Sequence, residues 1–98
     1  MIGNAVWFEI PTNDFERAIT FYEAVFQVKL RREKIGGDIA VFPGDEPAVT
    51  GALVSQEGYV PAANGAVVYL SAGDDLAPTL ERAVANGGKV VTPKTALP

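Results

Sequence analysis

Apolar and polar residues are arranged along the chain in blocks that predict short strands and amphipathic helices. Residues 5–10 (AVWFEI) are β-branched and aromatic and are followed by a proline, which is typical of a buried strand. Apolar side chains then recur at helical spacing from Phe15 onwards, and Asn13 with Glu16 resembles a capping box. The pattern therefore predicts a strand and a helix at the beginning of the chain.

Three further strands are predicted in the first half of the chain. One alternates apolar and charged side chains, which is typical of a half-exposed strand, and two are short apolar runs typical of buried strands. These segments are residues 28–32, 39–42 and 50–55. Gly36-Gly37 predicts a turn, and residues 56–65, which contain glycine, proline and asparagine, predict a linker.

The order of these elements returns in the second half. Residues 66–71 (AVVYLS) predict a strand, residues 89–92 (KVVT) predict another, and an apolar helical face lies between them. When Ala5 is aligned with Ala66, the strand starts, the helix starts and one aspartate coincide without a gap. We infer an internal duplication of a strand-helix-strand-strand-strand unit.

This duplication predicts an α+β fold of two paired βαβββ modules in one domain, residues 1–98. Module one is residues 1–57 and module two is residues 64–98. Counterparts of the last two strands of module one would lie beyond Pro98. We therefore expect module two to lack them, either because the chain is truncated or because something else occupies their place. The resulting sheet edge and uncovered face predict a homodimer or a strand-exchanged oligomer.

Composition restricts the chemistry further. The 98 residues include no cysteine and no histidine, and the net charge is −4. These absences exclude a disulfide framework, thiolate metal ligands and a Ser-His-Asp triad. The negative charge argues against nucleic acid as a partner, and no long apolar run or basic amphipathic helix indicates a membrane. Because the first residues lack the features of a signal peptide, we expect a cytoplasmic location.

The segment VWFEIPTNDFERAITFYEAVF (residues 6–26) resembles the first strand and helix of the vicinal oxygen chelate superfamily. This superfamily includes glyoxalases, extradiol dioxygenases and bleomycin-resistance proteins. The segments FPGDEP, GALV, GYVP and VVYLSAGDDL are similar to later parts of its glyoxalase-like members. The resemblance implies two modules whose curved sheets form a cup around a ligand.

The resemblance also indicates where metal ligands would lie. Metal-dependent members place a histidine or glutamine on the first strand of each module and a glutamate on the last. The first-strand positions fall here on Trp7 and Val68, and the middle of the last strand of module one is Ala52, Leu53 and Val54. None of these is a metal ligand. We therefore predict no metal, no cofactor and no catalytic residue.

Five residues are candidates for contact with a ligand in such a cup: Trp7, Glu9, Phe42, Tyr59 and Val68. Glu9 shares strand parity with Trp7, so it can anchor a cationic ligand or act as an isolated acid or base while Trp7 stacks on the ligand. The alternatives are a solvated or arginine-paired Glu9, a core role for Trp7 and Phe42, and a Tyr59 that covers the edge of the core.

Three functions are consistent with the sequence. The first is a metal-free small-molecule binding protein, like the bleomycin-resistance branch, that holds its ligand in an apolar and aromatic cup. The second is a lyase or dioxygenase whose metal ligands are lost or supplied by a partner. The third is a truncated, non-catalytic fragment that assembles as an oligomer. The missing catalytic groups favour the first.

Overall fold

The part of the chain that the structure describes forms a mixed sheet and two helices. A computed structural model of the protein describes residues 2–44 and 49–96, so residues 45–47 of the FPGDEP segment lie outside the described residues. The elements in chain order are β1 (Trp7–Pro11), α1 (Phe15–Phe26), β2 (Arg31–Lys34), β3 (Asp38–Val41), β4 (Thr50–Ser55) and α2 (Leu76–Ala85). This content confirms the predicted α+β class. No helix in this part of the chain is long and apolar enough to cross a bilayer.

The four strands form one sheet in the order β1-β4-β3-β2. β1 is parallel to β4, whereas β4 with β3 and β3 with β2 are antiparallel. The parallel ladder continues past the end of β1, where the Thr12 N–H and hydroxyl donate to the Val54 carbonyl at 3.0 and 2.9 Å. β1 and β2 are thus the two edges of the sheet, and α1 connects them.

Helix α1 packs on one face of the sheet. Its Ile19 is buried with Leu30, Ala40 and Leu53, which belong to the sheet or to the turn that leads into it. Aromatic rings surround this core, with Tyr22 edge-on to Phe42 at 5.6 Å between ring centroids. Burial of these side chains removes the apolar face of α1 from water, and it explains why a helix of this length is stable here.

The structure corrects the predicted start of the first helix. Asp14, not Asn13, is the N-cap of α1, and its carboxylate accepts from the Arg17 N–H at 3.2 Å. Asp75 caps α2 in the same way and accepts from the Ala77 N–H at 3.1 Å. The prediction of Asn13 was wrong by one residue, because the helical backbone begins at Phe15.

The strands of the first half lie close to their predicted positions, with one shift. The segment predicted at 28–32 forms strand only from Arg31 to Lys34. The preceding turn is bonded to α1 instead, because the Val28 and Leu30 N–H groups donate to the carbonyl and the carboxylate of Glu23 at 3.3 and 2.8 Å. Backbone groups held in this way cannot join the ladder with β3.

The strands predicted at 66–71 and 89–92 are wrong, since neither segment forms a strand. In the first half, β1 pairs only with β4, and β2 pairs only with β3. The alignment of Ala5 with Ala66 places the counterparts of β3 and β4 after residue 98. Neither segment pairs with a strand among the described residues, and an unpaired extended segment has no ladder to stabilise it.

Helix α2 packs on α1 instead of on a second sheet. The Arg82 Nε donates to the Val25 carbonyl near the end of α1 at 2.6 Å. Gly88, just after α2, passes so close to Phe21 and the Ala83 carbonyl that a Cβ atom would lie 2.7 Å from that oxygen. The second module thus contributes a docked helix, and the predicted pair of modules is present only in part.

The N-cap of α1 provides a direct test of the helix start. We expect Asp14→Ala to lower the free energy of unfolding by about 1 kcal/mol, because it leaves the Arg17 N–H without its acceptor. Asn13→Ala should have a smaller effect. Urea denaturation followed by circular dichroism would measure both variants. An equal loss in the two would contradict the assignment of Asp14.

Candidate functional site

The sheet face opposite α1 carries two of the five predicted ligand-contact residues, Trp7 and Glu9. Side chains alternate along a strand, so Trp7 and Glu9 lie on the opposite face from Ile10, which packs with the α1 core. We call this surface the Trp7 face and define it by the following residues. They are Trp7 and Glu9 on β1, Ala52 and Val54 on β4, Ile39 and Val41 on β3, and Arg31 and Glu33 on β2.

The centre of the Trp7 face is apolar and buried. Ile39, Val41, Ala52 and Val54 form a cluster in which no residue is more than 5% exposed. All four side chains are small or β-branched and carry no polar atom. This floor offers no hydrogen bond and no metal ligand, and its burial leaves little surface for a ligand to contact.

The β1 edge of this face carries an aromatic group and a carboxylate together. Trp7 is 43% exposed, and its indole Nε1 donates to the Glu9 Oε2 at 3.2 Å. Glu9 is exposed and takes part in no ion pair within the described residues. The hydrogen bond orients both side chains, and the carboxylate keeps acceptor sites for another group.

The β2 edge of the same face is charged but self-neutralised. The Arg31 guanidinium donates to the Glu33 carboxylate at 2.8 Å, and both side chains are exposed. An exposed pair of this kind contributes little to stability. The electrostatic character of the Trp7 face is therefore set at its β1 edge.

The other predicted site residues lie elsewhere. Phe42 is on the α1 side of the sheet, where its ring lies 5.8 Å from that of Phe8 and packs against Tyr22. Tyr59 and Val68 follow β4 and are 45% and 41% exposed. The structure brings Trp7 and Glu9 together, puts Phe42 on the opposite side of the sheet, and leaves Tyr59 and Val68 in an exposed segment without a strand partner.

Sequence reasoning missed a cavity of about 420 Å³ on the α1 side of the sheet. Its walls are aromatic and aliphatic side chains of the sheet and of α1, together with residues 70–73 and one face of α2. Arg82 is the charged residue in this lining. The one sequence feature that pointed to this cavity was an arginine, Arg82, beside the apolar stripe of α2. The cavity itself depends on the path of residues 61–73, and no local sequence pattern predicts that path.

The pKa shifts in the described residues belong to groups outside the Trp7 face. Arg32 donates to both carboxylate oxygens of Glu16, at 2.6 and 2.7 Å, and so lowers the pKa of that carboxyl. Burial against the sheet raises the pKa of the Tyr22 hydroxyl. The Ala77 N–H, with Lys94, lowers the pKa of Asp75 at the start of α2. These shifts follow from helix packing and capping.

Comparison with known proteins identifies the family. A family model described as the Glyoxalase/Bleomycin resistance protein/Dioxygenase superfamily matches residues 4–97. The chain belongs to this superfamily. No curated protein and no solved structure matches it significantly. The match confirms the resemblance to the vicinal oxygen chelate proteins across nearly the whole chain.

The metal site of this superfamily does not fit the residues present. The implied ligand positions are Trp7 and Val68 together with Ala52, Leu53 and Val54, and none has a side chain with a free N or O donor for a divalent ion. The described residues also contain no group of three or more carboxylates that could hold a metal ion. Glu9 is an isolated carboxylate on the Trp7 face, and a single ligand does not make a structural or catalytic site.

This donor set predicts weak metal binding. We expect zinc, nickel and ferrous iron to leave the melting temperature unchanged at equimolar metal, because no convergent ligands are available. Elemental analysis after gentle purification should give well below one metal per chain. Stoichiometric metal that is lost in Glu9→Gln would contradict this assignment.

Proposed function

We propose that the protein is a metal-free small-molecule binding protein, of the bleomycin-resistance kind within its superfamily. The observation that carries this proposal is the exposed indole of Trp7, held at 3.2 Å from the Glu9 carboxylate beside a buried apolar floor. An exposed aromatic face beside a free carboxylate is a recognition site, and it does not require a reaction.

The chemistry of this site favours a small organic cation. An indole ring attracts a positive charge through its π face, and the Glu9 carboxylate supplies a hydrogen-bond acceptor of the opposite charge. The floor of Ala52 and Val54 lies in register with Glu9 and Pro11 on the neighbouring strand. A ligand with a flat apolar body and one cationic group would use both the indole and the carboxylate.

Catalysis of the glyoxalase or dioxygenase type has less support. These reactions use several convergent metal ligands, and the described residues bring no such set together. Glu9 could act alone as an acid or base, but no second titratable group faces it on β1 or β4. Turnover of a hemithioacetal or a catechol with bound metal would overturn the first proposal in favour of this one.

We also propose that a second copy of the chain covers the exposed part of module two. Val67 and Tyr69 are 76% and 87% exposed in the segment that lacks strand partners, and Val91 is likewise exposed. Exposed apolar residues with unpaired backbone favour association. The cytoplasmic location and the absence of nucleic-acid or membrane partners stay predictions.

Ligand binding can be followed through the only tryptophan. We expect benzyltrimethylammonium to quench Trp7 fluorescence, and benzyl alcohol to bind at least tenfold more weakly because it lacks the charge. Glu9→Gln should remove most of this preference. Glu33→Gln is the matched control, since it removes a carboxylate from the opposite edge of the same face. Equal affinities for the two compounds in the native chain would rule out the proposed site.

Association is tested separately by sedimentation equilibrium. We expect the native chain to be dimeric at micromolar concentration, and Val67→Lys with Tyr69→Lys to shift it to monomer because the charges cannot be buried. Ile35→Lys, at an exposed turn between β2 and β3, is the control and should stay dimeric. A native chain that sediments as a monomer would contradict the proposal.

A further inference from the structure

The cavity on the α1 side of the sheet has the size of a ligand site. Its volume of about 420 Å³ lies in the range of roughly 300–1,000 Å³ found for small-molecule pockets. Five side chains supply most of its apolar lining: Phe8, Phe26, Val28, Phe42 and Leu70. The lining also includes polar residues, among them Thr50 and Ser71, and Thr79 and Arg82 of α2 lie near the end of α1.

The Arg82 side chain is fixed by the fold. Its Nε donates to the Val25 carbonyl at 2.6 Å, and its Nη2 donates to the Thr79 hydroxyl at 3.3 Å. Thr79 is itself only 7% exposed. A guanidinium has five N–H groups, so these two bonds leave three N–H groups for another acceptor.

No protein carboxylate uses those groups in the described part of the chain. None of the ion pairs there involves Arg82. Among the described residues that line the cavity, Arg82 is the only charged one. A half-buried guanidinium beside an apolar cavity is therefore an electrostatic match for an anion with an apolar body.

We propose that this cavity binds a small carboxylate with an apolar tail or ring, and that Arg82 holds the carboxylate. The apolar part packs against Phe8 and Phe42, and the carboxylate accepts hydrogen bonds from the remaining N–H groups of Arg82. This site is distinct from the Trp7 face, because it lies on the other side of the sheet and selects the opposite charge.

Arg82 also connects the two helices, and that role alone does not account for the cavity. The hydrogen bond that joins α2 to α1 uses the Nε of Arg82. Its Nη groups, of which one also donates to Thr79, keep N–H groups for another acceptor in a lining without any other charged residue. A ligand carboxylate at that position would accept hydrogen bonds from the guanidinium. Its apolar part would fill a space whose lining otherwise lacks van der Waals contacts.

The test compares three compounds that share one tail. Octanoate, octanol and octylamine are titrated into the native chain by calorimetry, with thermal melting as a second readout. We expect octanoate to bind at least tenfold more tightly than octanol, and octylamine to bind weakest. Trp7 fluorescence should not change, because the indole lies on the other face of the sheet.

Two variants assign the binding to this cavity. Arg82→Gln should weaken octanoate about tenfold or more and leave octanol unchanged. Ala72→Phe, which fills the cavity without touching Arg82, should weaken both compounds. Lys89→Gln removes an equal charge from an exposed position outside the cavity lining and should have no effect.

A measurement on the native chain does not depend on whether the variants fold. In the native chain, octanoate should shift the Arg82 Nε–H resonance in an ¹⁵N-edited NMR spectrum. Binding that Arg82→Gln and Ala72→Phe leave intact would overturn the proposal, as would equal binding of octanoate and octanol. None of these outcomes depends on binding at Trp7 or Glu9. The cavity proposal can therefore fail without affecting the proposal for the Trp7 face.

Discussion

The parallel pairing of β1 with β4 is the constraint on which the structure depends. It joins the first strand of module one to its last strand, so that β1 and β2 become the two edges and α1 must cross the sheet from one edge to the other. Gly51 permits the pairing, because any Cβ atom there would collide with the Phe8 backbone and ring. The pairing also places Glu9 beside Ala52, so it builds the Trp7 face and the α1 core at once.

The two faces of the sheet carry different chemistry because of this pairing. Aromatic rings collect on the α1 side, where Phe42 meets Phe8 and Tyr22. The opposite side has a floor of small aliphatic residues with one exposed indole at its edge. The superfamily relation thus fixes the architecture, whereas the ligand chemistry of each face depends on its own side chains.

The sequence was most informative where a local pattern determines the outcome. The core strands and α1 were predictable because their apolar patterns are clear and the partners they need lie in the same half of the chain. The start of β2 was not predictable, because the Glu23 carboxylate accepts from the Leu30 N–H and so keeps Leu30 out of the strand. The sequence also could not show that residues 66–71 and 89–92 form no strand, since a strand exists only with a partner. Strand parity was enough to predict that Trp7 and Glu9 share one face of the sheet. The positions of Phe42 and Arg82 beside the cavity could be seen only in the three-dimensional structure.

The buried apolar side chains are concentrated in the first half of the chain, and this affects which part of the fold opens first. Every fully buried apolar residue in the described part lies between Ile19 and Val54, and α2 contributes only Thr79 to the buried set. We therefore expect residues 7–55 to open as one cooperative unit, and α2 with the segment before it to have lower local stability. In that case α2 detaches while the sheet persists, and the hydrogen bond from Arg82 to Val25 is the contact that breaks.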